Sequence, residues 1–422
     1  MKKRAARALA AAAAAALLVC VFAYYAWLFS GGDFLSSIFG PLAERETQNA
    51  DEMQSFGEAP MPGGAPGSGD APGSGNAPGS GDAPGSGDAP GSGDAPILYS
   101  REFFALDTIV SIDLYAPSQP EGEAALEAAE QAFLDVGRLM TRFPLDEDAE
   151  HSDIARANAN AGAGPTRISP ETFGLLERAL GYCEASGGAF DIGLGALSDL
   201  WDFGGGGRIP GASEIERGLA SSGYRNIALD AASRTVAIPE GLKIDLGGVA
   251  KGYATQKSAD ALRGLGISHA IINAGGDVYA LGGKPADSGG QPAGANPQDA
   301  ASPWIVGIRH PRDDEKLLAT LPAIDKAVVT SGDYERYFEV GGVRYGHILD
   351  PETGWPAQGC VCATVVADDA EIADFLSTAV FVLGPEEGLD LVAGVEGAEA
   401  VIVGADMQIS VTPGLAGIAI FP

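Results

Sequence analysis

The sequence predicts an α+β fold for residues 97–422, a single mixed domain of largely antiparallel sheets with packed helices. Three observations carry the prediction. Runs with helical spacing and runs that alternate as strands both occur, they do not follow one another as regular βαβ units, and strand-like runs dominate the C-terminal half. That order favours antiparallel sheets over a doubly wound parallel one. At 422 residues, 45% hydrophobic and 20% charged, the chain is long enough for one large core or two ordinary ones.

The elements are read in chain order. "FFALDTIVSIDLYA" alternates as a strand does, and "EAALEAAEQAFLDVGRLM" and "PETFGLLERALGYCEA" place apolar residues at helical intervals. "KIDLGGVAKGYATQKSADAL", 243–262, passes from a strand-like stretch into a helix expected over 249–264. "INAGGDVYALG", 272–282, sets Gly-Gly-Asp between strand-like arms, and "YFEVGGVRYGHI" has Gly-Gly where a hairpin turns. A further helix is expected over roughly 369–392. The stretch 284–303, "KPADSGGQPAGANPQDAASP", reads as a flexible surface insertion.

The N-terminal part has a different character. Lys2, Lys3, Arg4 and Arg7 precede an uncharged apolar run over 8–29, about the length that crosses a roughly 30 Å hydrocarbon core as a helix. Residues 1–30 are therefore expected to be a cytoplasmic basic stub with a membrane anchor, the rest of the chain lying on the extracytoplasmic side. A cleaved secretory signal is the alternative, although "AYYAW" makes a poor cleavage site, and bulky Val19 argues against lipidation of Cys20. Residues 31–96 read as a disordered linker, a tether whose tandem APGSGD repeats hold nothing apolar beyond Ala and Pro and cannot bury a core. The formal net charge of -31 makes nucleic acid an unfavourable partner. Cys183, Cys360 and Cys362 show no zinc spacing, and a C-x-C pair on a strand is expected to point both thiols the same way.

The chemistry begins at the glycines. A helix N-terminus exposes unpaired amides and the positive end of the helix dipole, and glycine lets an anion approach the backbone. Gly247, Gly248 and Lys251 therefore suit a phosphate or diphosphate, although the same residues would serve a plain tight turn with a solvated lysine. "EIADFLSTAVFVLG", 371–384, sets Asp374 and Thr378 four apart, hence on one helix face. A carboxylate and a hydroxyl are hard oxygen ligands of the kind magnesium takes beside phosphate. "YGHILDPETGWP", 345–356, puts His347 and Asp350 on one loop, and a histidine titrates near neutral pH.

"DLGGVAKGYA", "NAGGDVYALG", "TSGDYERYF", "HILDPETGWP" and "ADFLSTAV", preceded by "SDIARAN" and "GGAFDIGLGALSDLWDFG", resemble the ordered motifs of the ApbE family of FAD:protein FMN transferases. The resemblance covers essentially all of 100–422. It implies an ApbE-like fold and magnesium-dependent transfer of FMN from FAD to a threonine or serine of an acceptor protein, with AMP released. Members are exported or membrane-tethered.

By the same resemblance, FAD contacts fall on Leu106, Phe143, Ala189, Phe190, Asp191, Asp245, Lys251 and Ile348. The magnesium ligands fall on the Gly248 carbonyl, Asp374, Ser377 and Thr378. Ser152, Arg156 and Asn158 match a family motif near the flavin site. The chemistry then expects catalytic roles for His347 as base, because its ordinary pKa lies near working pH, for Lys251 on the developing charge and for Asp374 on the metal; a loop histidine satisfied by a neighbouring carbonyl is the other reading of His347. Two positions depart: Leu106-Asp107-Thr108 stands where Met-Gly-Thr is usual, and Phe143 where tyrosine is usual. A FAD pyrophosphatase on the same site, a non-catalytic flavin carrier and a stalked adhesion module are the other readings considered.

Overall fold

The computed structural model describes residues 96–144, 150–285 and 302–421. The expected anchor over 1–30, the tether apart from its last residue, and 286–301 of the expected insertion lie outside the described residues. Among the described residues no helix is long and apolar enough to cross a membrane.

Strands β1 (Ile97–Ala105) and β2 (Thr108–Ala116) come first, then helices α1 (Gln119–Met140) and α2 (Asp153–Ala159). Next are β3 (Thr166–Arg167), α3 (Pro170–Ala185), α4 (Gly195–Trp201), α5 (Ala212–Ser221), β4 (Ala228–Asp230) and β5 (Thr235–Ala237). Helix α6 (Ala250–Gly264) leads to β6 (Ala270–Ala274), β7 (Asp277–Leu281), β8 (Trp304–Arg309), β9 (Leu317–Ala323) and β10 (Lys326–Gly332). The chain closes with β11 (Tyr337–Val340), β12 (Val343–Gly346), β13 (Cys360–Ala367), α7 (Ala370–Leu383), α8 (Pro385–Ala393), β14 (Glu399–Gly404) and β15 (Ile409–Val411).

Eight strands form one sheet in the order β1-β2-β6-β7-β10-β13-β14-β15, every neighbouring pair antiparallel. One face buries Val110, Ile112 and Leu114 of β2 against Phe133 and Val136 of α1, in a core shared with α6 and α7. The other face, over β7, β10, β13 and β14, is covered by the β8–β9 hairpin through Val306, Ile308 and Leu321. Strands buried on both faces read as continuous apolar runs, as "CVCATVVA" does. The α+β expectation holds, and so do both Gly-Gly hairpins and the helices quoted from α1 and α3.

Four local expectations change. "FFALDTIVSIDLYA" is the end of β1, a two-residue turn and β2, because Leu106 and Asp107 adopt φ of 50° and 59°, which the sequence does not flag with a glycine. The helix expected over 369–392 is two, broken where Gly384 takes φ of 83° and Pro385 starts α8. Residues 243–246 belong to no sheet. Cys360 and Cys362 join opposite cores, since a register shift between them cancels the two-residue repeat; these two and Cys183 are free thiols. The ends of the expected insertion lie side by side, Lys284 and Ser302 exchanging backbone bonds of 2.7 and 2.9 Å.

Candidate active site

The glycine turn is built from distant pieces. Lys243 to Leu246 run extended, and the Asn158 side chain takes the place of a neighbouring strand. It accepts from the Ile244 amide at 2.7 Å and donates to the Ile244 carbonyl at 2.9 Å. Ser152 caps α2 by accepting from the Ala155 amide, so the "SDIARAN" segment supports the turn through Asn158. Asp245 Oδ1 accepts from the Gly247 amide at 2.9 Å, closing an Asx turn that leads the chain into α6.

Helix α6 starts without a side-chain cap of its own. Its Gly252 amide donates instead to Asp374 Oδ2 of α7, at 2.7 Å. A Cβ on Gly252 would lie 2.2 Å from the Ala370 carbonyl oxygen and 2.5 Å from Asp374 Cβ, so the two helices meet there at backbone distance. The helix start that the sequence offers to an external anion thus receives a protein carboxylate.

The expected face of α7 is real. Asp374 is 3% exposed, and Thr378 Oγ1 lies 3.3 Å from where a Cβ on Gly248 would stand. Ser331 of β10 joins them, its Oγ 2.8 Å from Ser377 Oγ and 3.4 Å from Thr378 Oγ1. Ser377 is fully buried and donates to the Asp374 carbonyl, so Thr378 presents the more open hydroxyl.

Lys251 does not point a free charge at the turn. Its Nζ bonds Asp277 Oδ2 and stands 3.9 Å from Asp374 Oδ1. Burial opposes the Lys251 charge, but Asp277 and Asp374 outweigh it and hold its pKa above the ordinary lysine value. Burial pushes both carboxyls up, with Lys251 pulling the other way. Two carboxyls against one ammonium leave an oxygen-rich centre.

His347 lies close enough to this centre for the Lys251 charge to act on its ring. Its amide donates to the Arg336 carbonyl at 3.0 Å, continuing the β11–β12 ladder, so the two side chains are cross-strand neighbours. Its Nδ1 is buried with no hydrogen-bond partner among the described residues. Burial, then the Arg336 and Lys251 charges, lower its pKa from 6.5 to about 4, so the ring is neutral at pH 7. Arg336 also donates to the Asp107 carbonyl at 3.3 Å, tying the hairpin to the Leu106-Asp107 turn. Leu106 and Ile348 both pack on the main core with part of their surface open.

The ApbE family model matches residues 106–402. The chain belongs to the ApbE family. A FAD:protein FMN transferase of Treponema pallidum (strain Nichols) is 34% identical over 330 residues, covering 75% of this chain and 87% of the relative. A FAD:protein FMN transferase of Klebsiella pneumoniae (strain 342) is 32% identical over 274 residues, covering 64% and 80%. The crystal structure of the ApbE protein from Thermotoga maritima is similar with a TM-score of 0.67 at 33% identity, covering 76% of this chain and 99% of that one.

In this ApbE-family chain the remaining expected flavin contacts are placed unevenly. Phe143 is 66% exposed, with the Arg142 guanidinium 4.0 Å from its ring centroid. Phe190 is 3% exposed; its ring lies beneath Gly248, 3.0 Å from the position of a Cβ there, and packs edge-on to Phe375. Phe190 therefore supports the turn from the core and offers a ligand only its backbone. Asp191 accepts from the Gly193 amide at 2.7 Å and the Tyr224 amide at 3.1 Å, so both of its oxygens already brace the loop that carries Ala189. Burial raises the Asp191 pKa, against those two amides.

Three members of the site were not singled out as site residues from sequence. Asp277 ends the quoted Gly-Gly-Asp, a signal that was present. Ser331 and Arg336 lie within "TSGDYERYF", where nothing local distinguishes them from strand and hairpin residues.

Proposed function

We propose that this chain transfers FMN from FAD to a threonine or serine hydroxyl of a partner protein, forming a phosphoester and releasing AMP. The observation that carries this reading is the meeting of Lys251, Asp277, Asp374 and Thr378 at the Gly247-Gly248 turn, with His347 beside them. The relatives named FAD:protein FMN transferase support the same reaction. The acceptor oxygen bonds to the phosphorus of the FMN half, and the bond from that phosphorus to the oxygen of AMP breaks. Neutral His347 takes the hydroxyl proton. Lys251 holds Asp277 and Asp374 together beside the turn, and the diphosphate is read to lie against the Gly247-Gly248 backbone there.

The donor set suits magnesium. Among the described residues no three His, Cys, Asp or Glu side chains gather to hold a metal alone, and magnesium characteristically binds through few protein oxygens plus phosphate. The Gly248 carbonyl, Asp374, Thr378 and Ser377 would hold it, with Asp277 supplying a second carboxylate to the same centre. When bound, the ion supplies charge neutralisation to the diphosphate. The basic stub, apolar run and repeats support a membrane-tethered domain outside the cytoplasm.

The test is incubation of the full chain with FAD, Mg²⁺ and a candidate acceptor. Transfer gives a fluorescent acceptor band that survives denaturation, whereas free FMN and AMP with no band would mean hydrolysis. Asp374→Ala and Thr378→Ala are expected to slow AMP release about 100-fold or more; wild-type rates in both would remove the metal assignment.

A further inference from the structure

Directly before Phe143, at the end of α1, stands an arginine that the reaction above does not use. The Arg142 side chain is only 9% exposed, and three of its surfaces are occupied. Nε lies 2.8 Å from Asp245 Oδ2, and Nη1 lies 2.7 Å from Asp199 Oδ1 on α4. The guanidinium carbon stands 4.0 Å from the centroid of the Phe143 ring, a cation–π contact. Lys243 bonds the second Asp199 oxygen at 2.5 Å, so Asp199 is itself held in place. The Phe143 amide donates to Thr141 Oγ1 at 3.1 Å, which fixes the backbone on which the ring is carried.

These contacts join two parts of the site. Asp245 has one oxygen on Arg142 and the other on the Gly247 amide, so the guanidinium reaches the glycine turn through a single carboxylate. The same guanidinium bears on the ring of Phe143, which remains 66% exposed and can receive a planar partner. Phenylalanine lacks the hydroxyl by which a tyrosine could be oriented, and the cation over its face supplies orientation in another way.

We propose that Arg142 is a positioning residue that fixes Phe143 as a stacking platform for a planar ring of FAD and sets its spacing from the Gly247-Gly248 turn. The proposal rests on the FAD reading above. Arg142 touches neither the diphosphate nor the acceptor; it acts through Phe143 and Asp245. Because it orders a binding surface, its loss falls on KM for FAD more than on kcat.

The experiment titrates FAD into the full chain with Mg²⁺, following flavin fluorescence quenching and AMP release together. Arg142→Ala and Phe143→Leu are each expected to raise KM about tenfold with kcat within about threefold, and to weaken the quenching on binding. The double variant is expected to be no worse than about twice either single one, because both remove the same platform. Arg142→Gln keeps a donor at the Nε position toward Asp245 without the cation or the outer guanidinium, and is expected to lose quenching as Arg142→Ala does; it also serves if the alanine variant does not fold. Unchanged KM in both Arg142 variants, or a double variant near 100-fold, overturns the proposal. Failure of the wild-type chain to bind or cleave FAD would instead overturn the underlying function.

Discussion

Helices α6 and α7 lie against each other but begin in opposite ways. Helix α7 is capped by its own Asp369, which accepts from the Glu371 amide at 2.7 Å and the Ile372 amide at 3.1 Å. Helix α6 has no such residue and takes Asp374, 122 residues further along the chain. A self-capped start is complete before the fold forms. A start capped from elsewhere commits its helix to one neighbour and gathers charge where the two meet. In this molecule the second kind of start carries the candidate chemistry, and Lys251, one position before the borrowed contact, is drawn between Asp277 and Asp374.

The largest expected effect breaks the borrowed start by force. Gly252→Ala puts a methyl against the Ala370 carbonyl and Asp374 and should cost about 3 kcal/mol or more of stability in denaturant titration. A loss below about 1 kcal/mol would mean that α6 and α7 can part freely.

His347, within reach of the Lys251 charge, sharpens the contrast through pH. Its pKa is lowered from 6.5 to about 4, so the unfolded chain takes up a proton that the folded chain refuses. That contribution is fully present above about pH 6.5 and is lost as pH falls towards about 4, at most about 3 kcal/mol. His347→Gln should flatten this part of the stability curve; an unchanged slope would place the titration elsewhere. A bound diphosphate brings negative charge close to the ring, so the acid limb of kcat should lie above that of kcat/KM.

The self-capped start is expected to behave locally. Asp369→Ala should cost about 1 kcal/mol and leave AMP release near wild type, unlike Asp374→Ala, which should lower both. Equal behaviour of the two aspartates would erase the distinction. The smallest effect concerns another local feature, the β1–β2 turn. Asp107→Gly relieves a residue at φ of 59° and should add about 1 kcal/mol or less in the same titration.

Much of the fold was legible because its signals are short-range. The apolar spacing in α1 and α3, the Gly-Gly hairpins and the i, i+4 placement of Asp374 and Thr378 all follow from neighbours within a turn or two. Where the same local signals were misread, a missing glycine hid the turn at Leu106-Asp107 and a register shift turned Cys362 away from Cys360. The site was legible in its residue types and, through the family resemblance, in its positions. Its connections were not: nothing local paired Lys251 with Asp277 and Asp374, and Ser331 and Arg142 carried no mark of their roles.

The residues themselves determined an α+β domain, its helices and hairpins, the glycine turn entering a helix, and the pairing of a carboxylate with a hydroxyl on one helical face. Periodicity and turn chemistry act over a few residues and need no knowledge of the rest of the chain. Only the tertiary structure decided that Asp374 closes α6, that Lys251 answers two buried carboxylates, and that Arg142 links Phe143 to the turn. Those outcomes depend on which charges are carried out of water side by side, and only packing between distant segments sets that.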